Sequence, residues 1–306
     1  MGFGQRAGAV ALGLALDRLL PEPPNAWHPV AWFGQSMTML ERRIHADRRG
    51  PGVVYVGVGV GAGVALGRAL PFTSLATTVV VAGRQLRQVA SEVGQLAGDD
   101  QLGPARTEVR ALVGRDPSQL DASGLAAAAI ESLAENTVDS TFSAAFWALV
   151  AGAPGAYGFR AINTMDAMVG HRNERFENFG WAAARLDDVA NWIPARLFGL
   201  AVAAHNPKRW QAILGGVRDD APSHPSPNAG VAESAMAASL DVELGGPLRY
   251  PTPSGTREEL RPRLGTGPRP APSDVDDAVR VVDDLEKAVI ALLVTVWAVS
   301  RWTFRR

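Results

Sequence analysis

Ser140–Phe159 reads STFSAAFWALVAGAPGAYGF, twenty consecutive residues without a charged side chain. A helix of that length is about 30 Å long, enough to cross the hydrocarbon core of a bilayer. Gly152, Pro154 and Gly155 interrupt the run. Proline removes a backbone donor and crowds the preceding turn, so a broken or re-entrant helix is expected at least as readily as a straight crossing. Directly before it stands ESLAENTVDS, Glu131–Ser140, which places Glu131, Glu135 and Asp139 at the threshold of the most lipid-like part of the chain.

Other apolar stretches extend the pattern. From Pro51 to Gly83 the only charge is Arg68, which predicts a helical hairpin turning at Arg68 and Pro71 with arms of about sixteen residues. Arg42, Arg43, Arg48 and Arg49 precede it, and Arg84 and Arg87 follow, so a hairpin would leave both basic flanks on the cytoplasmic side. AVIALLVTVWAVS, Ala288–Ser300, is followed by Trp302 and by Arg301, Arg305 and Arg306, the pattern of a terminal anchor. The N-terminal AGAVALGLALDRLL resembles a signal core but lacks a small-residue cleavage site, and is read as a retained helix interrupted by Asp17 and Arg18. The glycine run GVGVGAGVALG, Gly57–Gly67, imitates a dinucleotide loop, yet its alternation with valine inside an apolar stretch suits a tightly packed membrane helix. The rival reading is a soluble helical protein with unusually apolar buried helices, and the mean hydropathy of +0.01 favours it.

The fold class expected is all-α: a polytopic helical membrane protein with long polar loops and a broken or re-entrant helix near the active site. It forms one domain over residues 1–306, with a Pro-rich loop at 250–274. Helices are expected near 7–20, 31–46, 52–67, 69–97, 104–113, 123–138, 141–151, 156–169, 180–191, 195–204, 207–217, 230–240 and 274–300. Asp219–Gly230, DDAPSHPSPNAG, is a rigid polar loop, and Tyr250–Asp274 has six prolines and reads as a long loop or lid.

Composition narrows the function. The net charge of −1 gives no global electrostatic case for nucleic acid. Cysteine is absent, which excludes disulfides, thiolate metal sites and cysteine nucleophiles. All basic residues but Lys208 and Lys287 are arginine, which fits either base composition or a need for fixed, bidentate cations. No stretch has the phosphate-loop spacing that ends in Gly-Lys-Ser/Thr. The five histidines never stand four residues apart, the helical zinc spacing.

On one helix, Glu131, Glu135 and Asp139 fall within roughly 80° of arc, opposite Leu125, Ala129, Ile130 and Leu133. That is either a solvated acidic face or an oxygen site. Asn136 and Ser140 supply neutral ligands where cationic partners would be usual, which suits Mg²⁺. The block Phe159–Arg196 is dense in polar groups. Arg160, Asn163 and Asp166 share a helix face; GHRNERF offers Arg172, Asn173 and Arg175; Arg185 pairs in spacing with Asp188, and Asp187 with Asn191. Pro194 ends or kinks that helix, and Arg196 follows. Arginine clamps with carboxylates for Mg²⁺ suit phosphoryl transfer, whereas single Arg–Asp pairs are commonly structural. His28 in HPVAWFG is either a turn histidine or a ligand. His224 and Asn228 in HPSPNAG are either turn and cap residues or part of a stiff binding loop leading to Glu233.

ESLAENTVDS, the block from Tyr157 to Arg196 and HPSPNAGVAESAMAASLDVELGGPLRY closely resemble the cobinamide-phosphate synthases of cobalamin biosynthesis, the CobD/CbiB family. HPVAWFG and GRDPSQLD, Gly114–Asp121, resemble it too. The likeness implies a multi-pass protein of the cytoplasmic membrane that uses ATP and Mg²⁺ to join adenosylcobyric acid to (R)-1-aminopropan-2-yl phosphate, or a related amino-alcohol phosphate, through an amide bond. The active site then faces the cytoplasm. The partners implied are the corrinoid, the amino-alcohol phosphate, ATP and the lipid bilayer, with no nucleic acid; a homo-oligomer is left open. Under this reading Glu131, Glu135 and Asp139, with Asp187 or Asp188, belong to the metal and phosphate site. Arg160, Arg172, Arg185 and Arg196 face phosphates, and Asn136, Asn163, Asn173, Asn191, Asn228, His28 and His224 orient substrate. Asp166 or Asp187 is the alternative base for the ammonium proton. The chain departs from the family at Pro21–Pro24, where Glu22 replaces the usual aspartate, and at Ser140, His171 and Phe176. A corrinoid scaffold without catalysis and a small-molecule transporter are the rival functions.

Overall fold

A computed structural model describes residues 1–171, 173–252 and 255–303. Among the described residues twelve α-helices follow in order: α1 Phe3–Leu19, α2 Pro29–Ile44, α3 Arg49–Ala69, α4 Thr73–Val80, α5 Gly83–Gly98, α6 Leu102–Glu108, α7 Ala122–Thr137, α8 Ser143–Val169, α9 Trp181–His205, α10 Trp210–Asp219, α11 Ala229–Leu240 and α12 Pro272–Thr303. Val138–Phe142, between α7 and α8, is a π-helical turn. Strands β1 Leu244–Thr252 and β2 Gly255–Leu264 pair antiparallel. The fold is therefore mostly helical, as expected. The Pro-rich segment is not a long loop, however, because its first part is a hairpin. Two-stranded pairing tolerates Pro247, Pro251 and Pro262, since each strand has an unpaired edge.

The chain groups into two compact units built from separated segments. The first holds residues 1–83, 139–191 and 288–306, and the second holds 84–138 and 192–287. In the first, Val10 and Leu14 of α1, Val80 of α4 and Ala144, Ala148 and Phe159 of α8 share a core with Leu293 of α12. A second cluster joins Met37 of α2, Tyr55 of α3, Met165 of α8 and Phe179. The glycines of α3 let it lie close against α8: a β-carbon at Gly63 would stand 2.6 Å from the Tyr157 carbonyl oxygen. In the second unit α11 is buried nearly all round, against α7, α10 and the hairpin. Its α5 is held to α12 by the buried Arg87–Glu286 pair.

The break expected in the apolar run is present. Gly152 sits at φ 67°, ψ −151°, a region only glycine occupies without strain, and divides α8. The pieces before and after it are about nine and seventeen residues, each short of the ~20 needed to cross a bilayer. Pro154 leaves the Val150 carbonyl without its helical donor, and the Arg6 guanidinium donates to that oxygen instead. The same device explains a departure from expectation at Pro194. The helix neither ends nor divides there; α9 runs through to His205. The carbonyl orphaned four residues earlier, at Ala190, accepts from the Trp147 indole Nε1 at 3.0 Å. Trp147→Phe keeps the packing and removes that donor. It should cost about 1–2 kcal/mol, read as a lower midpoint in denaturant unfolding, because a buried carbonyl is left unsatisfied.

Among the described residues only α3 is long and apolar enough to cross a membrane. The second arm of the expected hairpin, α4, has eight residues and spans about 12 Å, so it cannot cross by itself. The terminal Arg305 and Arg306 lie outside the described residues.

Candidate functional site

Two polar clusters hold most of the expected site residues, one within each unit. The first is built on α8 and the start of α9. Arg160, Asn163 and Asp166 share a face of α8, as their spacing requires. The Asn163 amide donates to Asp139 Oδ2 at 3.2 Å, and the Arg160 Nη1 donates to Asn163 Oδ1 at 3.4 Å. Asn163 also lies beside Asp187. Asn191, fully buried, fixes Asp187: its Nδ2 donates to Asp187 Oδ2 at 2.9 Å, while its Oδ1 accepts from the Ser143 hydroxyl. That pairing sets the orientation of the amide. The other Asp187 oxygen, Oδ1, is buried and accepts no hydrogen bond. Burial, and then the neighbouring Asp166 carboxylate, push Asp187 up to about 7. Glu22 reaches the same region: its Oε1 is also buried without a hydrogen bond, and burial raises its carboxyl against the pull of Arg160. His28 caps α2 by accepting from Val30 N at 3.2 Å. Burial and then Arg160 hold its imidazole below the ordinary histidine range.

The second cluster lies on α7, α11 and β2. Glu131 of α7 accepts from Arg115 Nη2 at 2.6 Å and from the Gly245 backbone N–H at 2.7 Å, using both oxygens. Beside it are Glu135, Glu233 of α11 and Arg261 of β2, and these residues line a cavity of about 100 Å³ with Ser132. Glu233 is raised well above its ordinary value by burial first and then by the Glu131 and Glu135 carboxylates. Burial likewise raises Glu135, against the pull of Arg261. Arg261 Nη1 lies 3.0 Å from His224 Nε2. His224 Nδ1 accepts from the Ser226 backbone N–H at 3.0 Å, and burial followed by Arg261 lowers the imidazole from its ordinary value.

The acidic triplet meets a different fate from the one its spacing suggested. Glu131 and Glu135 belong to the second cluster, Asp139 to the first. The π turn widens the spiral at Asp139 and breaks the four-residue phase on which a shared helix face depends. Among the described residues no three or more histidine, aspartate and glutamate side chains form a group able to hold a metal ion, so the triplet is not assembled as a metal centre. Asn136 turns back to donate to the Ser132 carbonyl and hydroxyl at 2.9 and 2.8 Å. Asn173 closes a turn by accepting from Arg175 N and Phe176 N. Exposed Arg185 and half-buried Asp188 form a pair at 3.7 Å. Arg196 donates to Asn228 Oδ1 at 2.9 Å and stacks over Trp192. Arg172 lies outside the described residues.

Four participants were not singled out by spacing: Ser143, Arg115, Arg261 and, as a cluster member, Glu233. Arg115 stands inside GRDPSQLD, a stretch noted only for its likeness. Arg261 was hidden in a segment read as loop.

The Asp166–Asp187 pair fits Mg²⁺. That ion takes one or two carboxylates and keeps waters, and an unsatisfied buried carboxylate oxygen beside a second carboxylate is the donor set it uses. Glu131 does not fit, since a guanidinium and a backbone N–H already occupy its oxygens.

No solved structure matches. The chain is 42% identical over 287 aligned positions to "Cobalamin biosynthesis protein CobD" of Mycobacterium tuberculosis, covering 90% of each chain. It is 41% identical over 292 positions to the protein of that name from Chromobacterium violaceum, covering 89% of this chain and 90% of the relative. Against the Rhodobacter capsulatus protein the identity is 39% over 318 positions, covering 96% and 99%. A family model described as CobD/Cbib protein matches residues 10–282, and the chain belongs to that family.

Proposed function

We propose that the protein acts in cobalamin biosynthesis as an acid–amine ligase, joining adenosylcobyric acid to an amino-alcohol phosphate such as (R)-1-aminopropan-2-yl phosphate with consumption of ATP. The relatives named for cobalamin biosynthesis support the pathway. The observation that carries the chemistry is the Asp166–Asp187 pair with its unsatisfied oxygen, held by Asn191 and Ser143 beside Asn163 and Arg160.

A carboxylate does not react with an amine until one oxygen becomes a leaving group. The propionate oxygen attacks the γ-phosphorus of ATP, ADP departs, and an acyl phosphate remains. The amine nitrogen then attacks the acyl carbon, phosphate departs, and the ammonium proton passes to solvent or a base. When bound, Mg²⁺ neutralises charge on the transferring phosphoryl oxygens. Asp166 and Asp187 would hold it, and Asn191 would fix the Asp187 carboxylate. Arg160 would face the phosphoryl oxygens as a fixed cation oriented by Asn163.

The membrane reading belongs to the same proposal. In the first unit α3 exposes Val53, Val54, Val58 and Leu66, and the end of α12 exposes Leu292, Val294, Val299 and Trp302. Such apolar faces suit acyl chains, and a site that uses ATP would face the cytoplasm.

The full-length protein in detergent or vesicles, supplied with cobyric acid, amino-alcohol phosphate, ATP and Mg²⁺, should release ADP and form the amide. Tight corrinoid binding without ADP release would replace the ligase with a scaffold, and substrate flux into sealed vesicles would replace it with a transporter.

A further inference from the structure

The last helix ends in a cationic and apolar surface that the phosphoryl chemistry does not use. Within the first unit the end of α12 lies beside the start of α1, and glycine lets the two approach. A β-carbon at Gly4 would overlap the Ser300 hydroxyl, and one at Gly8 would stand 2.6 Å from the Trp297 indole. Where this pair ends, Gly2, Phe3, Gly4 and Gln5 on one side and Ser300 and Arg301 on the other line a cavity of about 700 Å³, a volume usual for a small-molecule site.

Its walls select the charge of an occupant. Arg301 is the one charged side chain among the described residues that line it. Residues 1–16 and 287–306 contain no aspartate or glutamate, yet they carry Arg6, Lys287, Arg301, Arg305 and Arg306. The Arg301 guanidinium lies over the Trp297 ring, 5.4 Å from its centroid, a contact that orients the cation without neutralising it. A phosphate suits such walls. A choline or ethanolamine headgroup would add a second cation where no carboxylate meets it.

The flank of the cavity selects the rest of the molecule. Leu292, Val299 and Trp302 are exposed and stand at i, i+7 and i+10, one stripe of α12. Ten residues of helix advance about 15 Å, the depth of one leaflet in a hydrocarbon core of about 30 Å. Tryptophan and arginine at the end of an apolar stripe are the residues of a membrane–water boundary. A free anion would leave the stripe uncovered, and an apolar molecule would leave the arginine unmatched.

We propose that the cavity between α1 and α12 receives the phosphate of one anionic phospholipid, with Arg301 as its cation and an acyl chain along Leu292, Val299 and Trp302. This site presupposes the membrane reading above and is independent of amide formation.

Native mass spectrometry of the full-length chain in detergent, titrated with dioleoyl phosphatidylglycerol or dioleoyl phosphatidylcholine, tests it. One phosphatidylglycerol should bind per chain, at least about fivefold more tightly than phosphatidylcholine, the share of one cation at an anionic surface. Arg301→Gln should remove that preference. Gly2→Leu should weaken phosphatidylglycerol by volume instead: Gly2 has φ −69° and open space around its β-position, so the longer side chain enters the cavity without strain. The lipid comparison needs only the wild-type chain and stands even where a variant fails to fold. Equal binding of the two lipids, inorganic phosphate binding as tightly as phosphatidylglycerol, or a preference unchanged in both variants would each overturn the proposal. A chain that stays in solution without detergent and retains neither lipid would overturn the membrane reading with it. If only the ligase reading is wrong, the lipid preference persists while no ADP appears on adding corrinoid, amino-alcohol phosphate and ATP.

Discussion

Asp187→Asn is expected to abolish ATP-dependent condensation and, at the same time, to make the ligand-free protein more stable at pH 8. The loss of activity should be on the order of 10³-fold, the scale of removing one preorganised group that stabilises transition-state charge. The gain in stability follows from linkage. Asp187 is raised from 3.8 to about 7, chiefly by burial and then by Asp166. Between about pH 4 and pH 7 the unfolded chain has released this proton while the folded chain still holds it, so stability falls as pH rises and levels off above about 7. Asparagine keeps the hydrogen bond with Asn191 but never ionises. The variant's advantage should therefore be absent near pH 4, grow through pH 7 and stay constant above, reaching on the order of 4 kcal/mol. Mg²⁺ should reverse the ranking by stabilising the wild type and not the variant. Unfolding curves at pH 5 and pH 8, with and without Mg²⁺, give all four values. A variant less stable than wild type at pH 8 in chelator would end the account of Asp187 as an uncompensated buried carboxylate.

How far the sequence could lead is visible in where it failed. The helices were legible because apolar and small residues repeat along them. The break at Gly152 and Pro154 was legible because those residues carry their own backbone rules. The Asp187–Asn191 pair was legible from its four-residue spacing. What could not be read were partners set by tertiary structure. Pro194 read as an end or a kink; α9 continues through it, and the indole of Trp147 satisfies the carbonyl that the proline orphans. The hairpin was missed because its prolines and charges resemble a loop, and with it went Arg261. The acidic triplet was assigned one face because a regular helix was assumed; a single π turn at Val138–Phe142 undid that phase. Such turns are inserted into α-helices often at functional positions, and composition does not announce them. Family likeness could indicate that ESLAENTVDS mattered, but not that Glu131 and Asp139 serve different clusters.

Glu131 is the residue whose meaning changes most, and its replacement supplies the sharpest contrast with Asp187. Glu131→Ala should cost the second unit about 3–5 kcal/mol, because it strands the Arg115 guanidinium, 7% exposed, and the Gly245 N–H in the interior. Glu131→Gln can still accept from Gly245 and loses only the charge facing Arg115, so it should fall between Ala and wild type. Adding Arg115→Met to Glu131→Gln removes the cation that glutamine leaves unneutralised; the double variant should recover part of the loss, with a coupling of about 1–3 kcal/mol. Denaturant unfolding of the wild type, Glu131→Gln, Arg115→Met alone and the double variant measures the cycle. If Glu131 were instead a ligand of Mg²⁺, the ranking would invert: removing a repelling carboxylate would stabilise the ligand-free protein, as at Asp187, and Mg²⁺ would cease to protect it. The geometry requires the opposite on both counts, a large loss of stability and a Mg²⁺ response that survives in whatever fraction folds, because both oxygens of Glu131 are already engaged by donors of its own chain.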